Sequence, residues 1–242
     1  MRRIIDKSLN WGRQNIRFFG EQSKSFNNVL DIGAGKGVDL LIFRDINPNA
    51  ALFAVESYEP NVEILLSKGI TTFSVDIERE RLPFDNESVD VIIINQVLEH
   101  VKDIFWIMNE ITRVLAVQGR LIIGVPNLAS LHNRLLLCAG IQPTCIQTNS
   151  AHVRGYTRKS IEKLLNIWPN GYELVSFRGS NFYPFPPLVA NFLSKIFPSM
   201  SVSIFLCFQK ARKYTGDKYL QFPVDEKLET NYFLGATNNK AN

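Results

Sequence analysis

Cysteine is scarce: Cys138, Cys145 and Cys207 are the only three in 242 residues, and none stands in the paired spacing of a metal site. That count suggests neither a disulfide framework nor a zinc site, no metal ligand is assigned, and a reducing, cytoplasmic setting is expected. Long apolar runs are missing too. The greasiest stretch, 188–208, is broken by Lys195, Pro198 and several serines, short of the ~20 residues that cross a bilayer. The first twenty residues carry Arg2, Arg3, Lys7, Arg13 and Arg17 without the compact apolar block of a signal peptide, and read as an amphipathic helix packed on the domain. Imidazole is limited to His100, His132 and His152. There is no internal repeat.

What remains is 45% hydrophobic and 21% charged, the balance of an ordinary globular domain. The net charge of +4 hides a split: residues 1–119 hold 13 Lys and Arg against 17 Asp and Glu, net −4, and residues 120–242 hold 14 against 6, net +8. The two halves are expected to meet different ligands, or the basic half an anionic one. The basic residues are scattered and no RNA-binding appendage stands out, which disfavours nucleic acid as a partner.

The most informative stretch is VLDIGAGKG, Val29 to Gly37. An apolar strand ends in Asp31, breaks into Gly33, Ala34, Gly35 and Gly37, and turns into a helix over VDLLIFRDI, a turn that brings backbone close to a nucleoside. A dinucleotide fingerprint would place its third glycine at position 38, which is Val38. Further strands follow at ALFAVES, TTFSVDIE, VIIIN and RLIIGVPN, with a helix opened by Pro60 and another from Asp103 to Val117. Thr157 caps a later helix, and GYELVSFRGS and SVSIFLCFQKA read as two more strands. Repeated βα units with continuous apolar strands predict a parallel sheet whose carboxyl edge collects ligands. Asp31, Glu56, Asp76 and Asn95 each fall at that edge. There Glu56 is placed to accept both hydroxyl hydrogens of a ribose, and Asp76 with Ile77 to meet an adenine edge.

With the glycine turn, LPFDNESVDVIIINQVLEHV and NEITRVLAVQGRLIIGVPN resemble the class I S-adenosylmethionine-dependent methyltransferases, in their small-molecule, type 11-like branch, over residues 27–127. The resemblance implies a single α/β domain: a Rossmann-like, doubly wound, seven-stranded and mostly parallel sheet whose last strand is antiparallel. The expected layout is a helical extension over 1–26, the domain over 27–213 with substrate-side insertions near 128–156 and 180–200, and a polar, extended tail over 214–242. S-adenosylmethionine is the implied cofactor, with Asp31 toward its ammonium, Gly33, Ala34, Gly35 and Gly37 along its methionine, Glu56 and Ser57 at its ribose, Asp76 and Ile77 at its adenine, and Asn95 and Gln96 beside its sulfonium.

Asn95-Gln96-Val97-Leu98 lacks the Pro-Pro-aromatic sequence used on DNA amines, and no cysteine follows a proline as cytosine methylation requires. The expected acceptor is therefore a small molecule or saccharide, methylated at oxygen, with His100, His152 and Tyr156 as candidates for proton removal. Arg134, Arg154, Arg158 and Arg178, with Tyr183, would suit an anionic acceptor. NFYPFPPL suggests a lid, with peripheral membrane contact a weaker reading. Two rivals remain: an NAD(P)-dependent oxidoreductase, for which Tyr214 and Lys218 are the one Tyr-x-x-x-Lys pair, interrupted by Gly216, and a non-catalytic cofactor-binding partner protein.

Overall fold

The computed structural model describes residues 11–23, 25–226 and 228. Its elements are α1 (Gly12–Glu21), β1 (Asn28–Ile32), α2 (Val38–Ile46), β2 (Ala51–Val55), α3 (Glu59–Ser67), β3 (Thr71–Phe73), β4 (Val89–Asn95), α4 (Ile104–Val114), β5 (Leu115–Pro126), α5 (Leu131–Cys138), α6 (Arg158–Leu165), β6 (Tyr172–Ser180), α7 (Pro187–Ile196), β7 (Ser203–Lys210) and α8 (Lys218–Asp225). The seven strands form one sheet in the order β3-β2-β1-β4-β5-β7-β6, with β7 alone antiparallel to the others. The chain order reverses between β1 and β4, and ligands of open α/β sheets bind beyond the strand ends at such a point.

Both sheet faces are covered. Leu30, Ile92 and Ile94 join α4, α6 and Tyr219 in one core, while Val29, Val91 and Ile93 join α1, α2 and Phe205 in the other. Successive residues of β1 and β4 point to opposite faces, so burying both requires the unbroken apolar runs read in the sequence. Asp103 caps α4 by accepting from the Trp106 amide at 3.1 Å, and Thr157 caps α6 through a capping box with Ser160. The helix expected to reach Val117 stops at Val114, because Leu115 turns into β5.

Two further expectations are revised. The third strand ends at Phe73, so Asp76 lies in the following turn and not at a strand end. The segment after Asp217, read as extended, forms α8, whose Tyr219 is fully buried and donates from its hydroxyl to the Leu165 carbonyl at 3.2 Å. Residues 229–242 of that tail, and Arg2, Arg3 and Lys7 of the expected N-terminal helix, lie outside the described residues. The remainder of that helix, α1, inserts Ile16 and Phe19 into the core, and its Asn15 donates to the Gly179 carbonyl at 3.1 Å.

Candidate functional site

Gly33, Gly35 and Gly37 all hold positive φ, at 73°, 54° and 73°. A Cβ on Gly33 would strike Val97, and one on Gly37 would meet Leu65 at 2.6 Å; on Gly35 it would meet nothing within 4 Å and stand in open space. The first and third glycines thus let the turn sit against the fold, and the second leaves its backbone bare. Amides of Gly33 and Ala34 donate to the Val55 carbonyl at 2.8 and 3.3 Å, tying the turn to β2. Beside it lies a cavity of about 420 Å³ lined by Arg13, the turn, Asp39, Asn95 and Gln96.

Glu56, just past β2, holds its carboxylate toward the turn: Oε2 accepts from the Gly35 amide at 2.8 Å, and Oε1 from the amides of Ser57 and Tyr58 at 3.0 and 2.9 Å. Charge-assisted bonds of this kind fix the carboxylate before any ligand arrives. Asp31 is 2% exposed, and burial raises its carboxyl well above the usual range; Asp39 raises it further, and the Arg13 guanidinium pulls it down. Asp39 is the hub, accepting from Arg13 Nε at 3.0 Å and from Asn95 Nδ2 at 2.8 Å. Neither Arg13 nor Asp39 was expected in the site. The available signal was an acid in the first turn of an otherwise apolar helix, VDLLIF, at its electropositive end. Asp76 is exposed and turned back on its own loop, its Oδ1 accepting from the Glu78 amide at 3.0 Å, while Ile77 packs against the core. Ser57 is exposed and contributes its amide to Glu56.

A second cluster follows β4 directly. Glu99 is 2% exposed, and burial raises its carboxyl to about 7, against the opposing pull of backbone hydrogen bonding and His152. Its carbonyl accepts from the amides of Val153 and Arg154 at 2.8 and 3.2 Å, which pins the later loop beside it. The imidazoles of His100 and His152 thereby meet edge to face, ring centroids 4.7 Å apart. Tyr156 does not join them: it is buried in the core, its hydroxyl donates to the Leu98 carbonyl at 3.2 Å, and burial raises its phenol further from ionisation.

The four arginines expected to face an anion are engaged elsewhere. Arg154 donates to the carbonyls of Val101 and Lys102, Arg134 to that of Ala129, Arg158 pairs with Glu162, and Arg178 donates to Asn15 while lying over Phe18. Tyr214 and Lys218 form no catalytic helix either. Tyr214 precedes α8, Gly216 between them has φ of 81°, and the Tyr214 hydroxyl donates to Asn109 at 2.6 Å.

Residues 4–176 match the family model described as a methyltransferase domain. The chain belongs to this family. A curated relative, an uncharacterized 37.1 kDa protein in transposon TN4556 of Streptomyces fradiae, is 31% identical over 108 residues, covering 43% of this methyltransferase domain chain and 31% of its own. The chain thus spans about a third of that relative's length. Among solved structures, a SAM-dependent methyltransferase from Archaeoglobus fulgidus superposes with a TM-score of 0.58 at 14% identity, covering 82% of this chain and 93% of its own. The plantazolicin methyltransferase BpumL in complex with SAH gives 0.59 at 18% identity, over 86% and 87%. These likenesses establish the fold.

S-adenosylmethionine fits the cavity of this methyltransferase-domain chain on two observations. Gly35 presents bare backbone where a side chain would project, and Asn95 Oδ1 and Gln96 Nε2 are buried with no hydrogen-bond partner among the described residues. Both atoms belong to residues that line the cavity, and buried polar atoms left without partners are costly unless a polar group meets them.

Proposed function

We propose that this methyltransferase moves a methyl group from S-adenosylmethionine to a hydroxyl oxygen of a small-molecule or saccharide acceptor. The observation that carries the reading is the placement of a cavity beside the glycine turn and an imidazole pair on consecutive segments at the end of β4 and just beyond it, Asn95–Gln96 and Glu99–His100. The cofactor supplies a methyl carried on sulfonium, so that a C–O bond forms as the C–S bond breaks and the acceptor's proton must leave. Glu56 would hold the ribose, the open space at Gly35 would let the methionine pass, and Asp31 would hold the ammonium. Asp76 would have to release its turn contact with Glu78 to reach adenine, so the neighbouring backbone is the better candidate there.

Proton removal falls to the imidazoles. His152 Nδ1 lies 2.8 Å from the Cys145 carbonyl, which can only accept, so the neutral ring carries its proton on Nδ1 and offers Nε2 as a base. An anionic acceptor is not part of this reading, since Arg134, Arg154, Arg158 and Arg178 have partners within the protein. Tyr183, Phe185, Leu188 and Phe192 are exposed around α7, and Tyr183 lies edge to face on His132. That apolar wall suits an acceptor with an aromatic or aliphatic body. Cytoplasmic residence remains part of the proposal; among the described residues no helix is long and apolar enough to cross a membrane.

The test is incubation of the purified chain with methyl-labelled S-adenosylmethionine and a panel of phenols, saccharides and amines, with products located by mass spectrometry. Label on oxygen is expected. Label confined to nitrogen would remove the oxygen assignment, and cofactor binding without turnover on any acceptor would favour a non-catalytic partner.

A further inference from the structure

We propose that Glu99, His100 and His152 form a binding site for one divalent transition-metal ion, of which zinc is the representative. One candidate donor atom from each side chain lies within 4.8 Å of the other two. A tetrahedral ion with bonds of ~2.1 Å spaces its ligands ~3.4 Å apart, so the triangle needs to contract by no more than about 1.4 Å. His100 is exposed and His152 half-buried, which leaves both rings room to turn.

Two independent observations point to a cation. Glu99 is 2% exposed, yet its Oε2 has no hydrogen-bond partner among the described residues, a costly arrangement for a carboxylate unless a positive charge meets it. Both histidines also face backbone carbonyls through Nδ1, His100 toward Ala151 at 3.2 Å and His152 toward Cys145 at 2.8 Å. A carbonyl accepts only, so each neutral ring keeps its proton on Nδ1 and presents an unprotonated Nε2. That carbonyl-oriented tautomer is how metal-ligating histidines are held. The bonds from Val153 and Arg154 to the Glu99 carbonyl bring the two segments together before any ion binds.

Two imidazoles and one carboxylate make a borderline donor set, suited to zinc and its first-row neighbours and poorly suited to magnesium or calcium, which take oxygen ligands. Three protein ligands leave at least one position open. Any part the ion plays toward an acceptor hydroxyl rests on the methyl-transfer reading above; the site itself does not. Loading the ion occupies the His152 lone pair, so base and ligand are alternative roles of one atom, and the metal dependence of turnover decides between them.

The experiment uses the full chain without a histidine tag, stripped with chelator, and measures zinc by equilibrium dialysis and cobalt by its visible absorption. One equivalent per chain is expected. Glu99→Gln, His100→Ala and His152→Ala should each weaken it by about tenfold or more, while His132→Ala, outside the cluster, should not. His100 is exposed, so its variant remains informative if Glu99→Gln unfolds. Less than a tenth of an equivalent on the wild-type chain, or undiminished binding by all three folded variants, overturns the site. Titration of the same samples with S-adenosylhomocysteine separates the readings: retained nucleoside binding without metal removes only the metal site, and the reverse removes only the cofactor assignment.

Discussion

Glu56 and Asp31 are both acids at the sheet edge, and their surroundings give them opposite characters. Glu56 is surrounded by amide donors, and its charge is welcome. Replacing it with alanine should weaken S-adenosylmethionine binding by roughly 1.5–3 kcal/mol, the scale of charge-assisted hydrogen bonds; calorimetry on a folded variant checks this, and unchanged affinity would take Glu56 out of the site. Asp31 is buried, with a raised carboxyl pKa, so the folded chain keeps its proton to higher pH than the unfolded chain does. Stability present below the ordinary value of 3.8 is therefore lost as pH rises through the folded value. Asp31→Asn should accordingly melt higher than wild type at neutral pH, by about 2–4 °C for each kcal/mol recovered, and should bind the cofactor less well. A lower melting temperature would mean that its interactions outweigh desolvation. The glycine turn and Glu56 were legible because their requirements are local. Arg13 and Asp39 were not, because their pairing spans 26 residues and exists only once α1 has docked.

At the scale of elements, legibility followed burial. β1 and β4 are enclosed on both faces and therefore wrote themselves as apolar runs, the spacing of apolar residues announced α4, and the cap at Thr157 announced α6. β3 was overextended because it has only three residues, after which the chain turns at Asp76. α8 was missed because Lys218, Gln221 and Pro223 mask a helix held by a few apolar residues, chiefly Tyr219. Removal of that ring by Tyr219→Ala should cost about 3–5 kcal/mol, as for other large buried side chains. Chemical denaturation measures it directly, and a loss below about 1 kcal/mol would show that α8 adds little to the core formed with α4.

For the whole molecule, composition misled where topology informed. The net +8 of the second half suggested an anion-binding face, yet Arg134, Arg154, Arg158, Arg178 and Lys210 among its cations are engaged within the protein. Lys210, with no exposure, donates to the carbonyls of Thr112 and Leu115 at 2.9 and 2.6 Å, where α4 gives way to β5. Charge counts record residues, whereas a surface field depends on which of them remain in water. The alternation of strand and helix, by contrast, did specify the sheet and the edge on which the candidate site lies.

The placement of α1 has a thermodynamic consequence. Its Arg13 both lines the cavity and holds Asp39, so docking of this helix and occupation of the cavity belong to one free-energy cycle. Whatever affinity the docked helix lends a ligand, the ligand returns in equal measure as resistance of the helix to undocking. The N-terminal segment is thus linked to cofactor concentration by reciprocity.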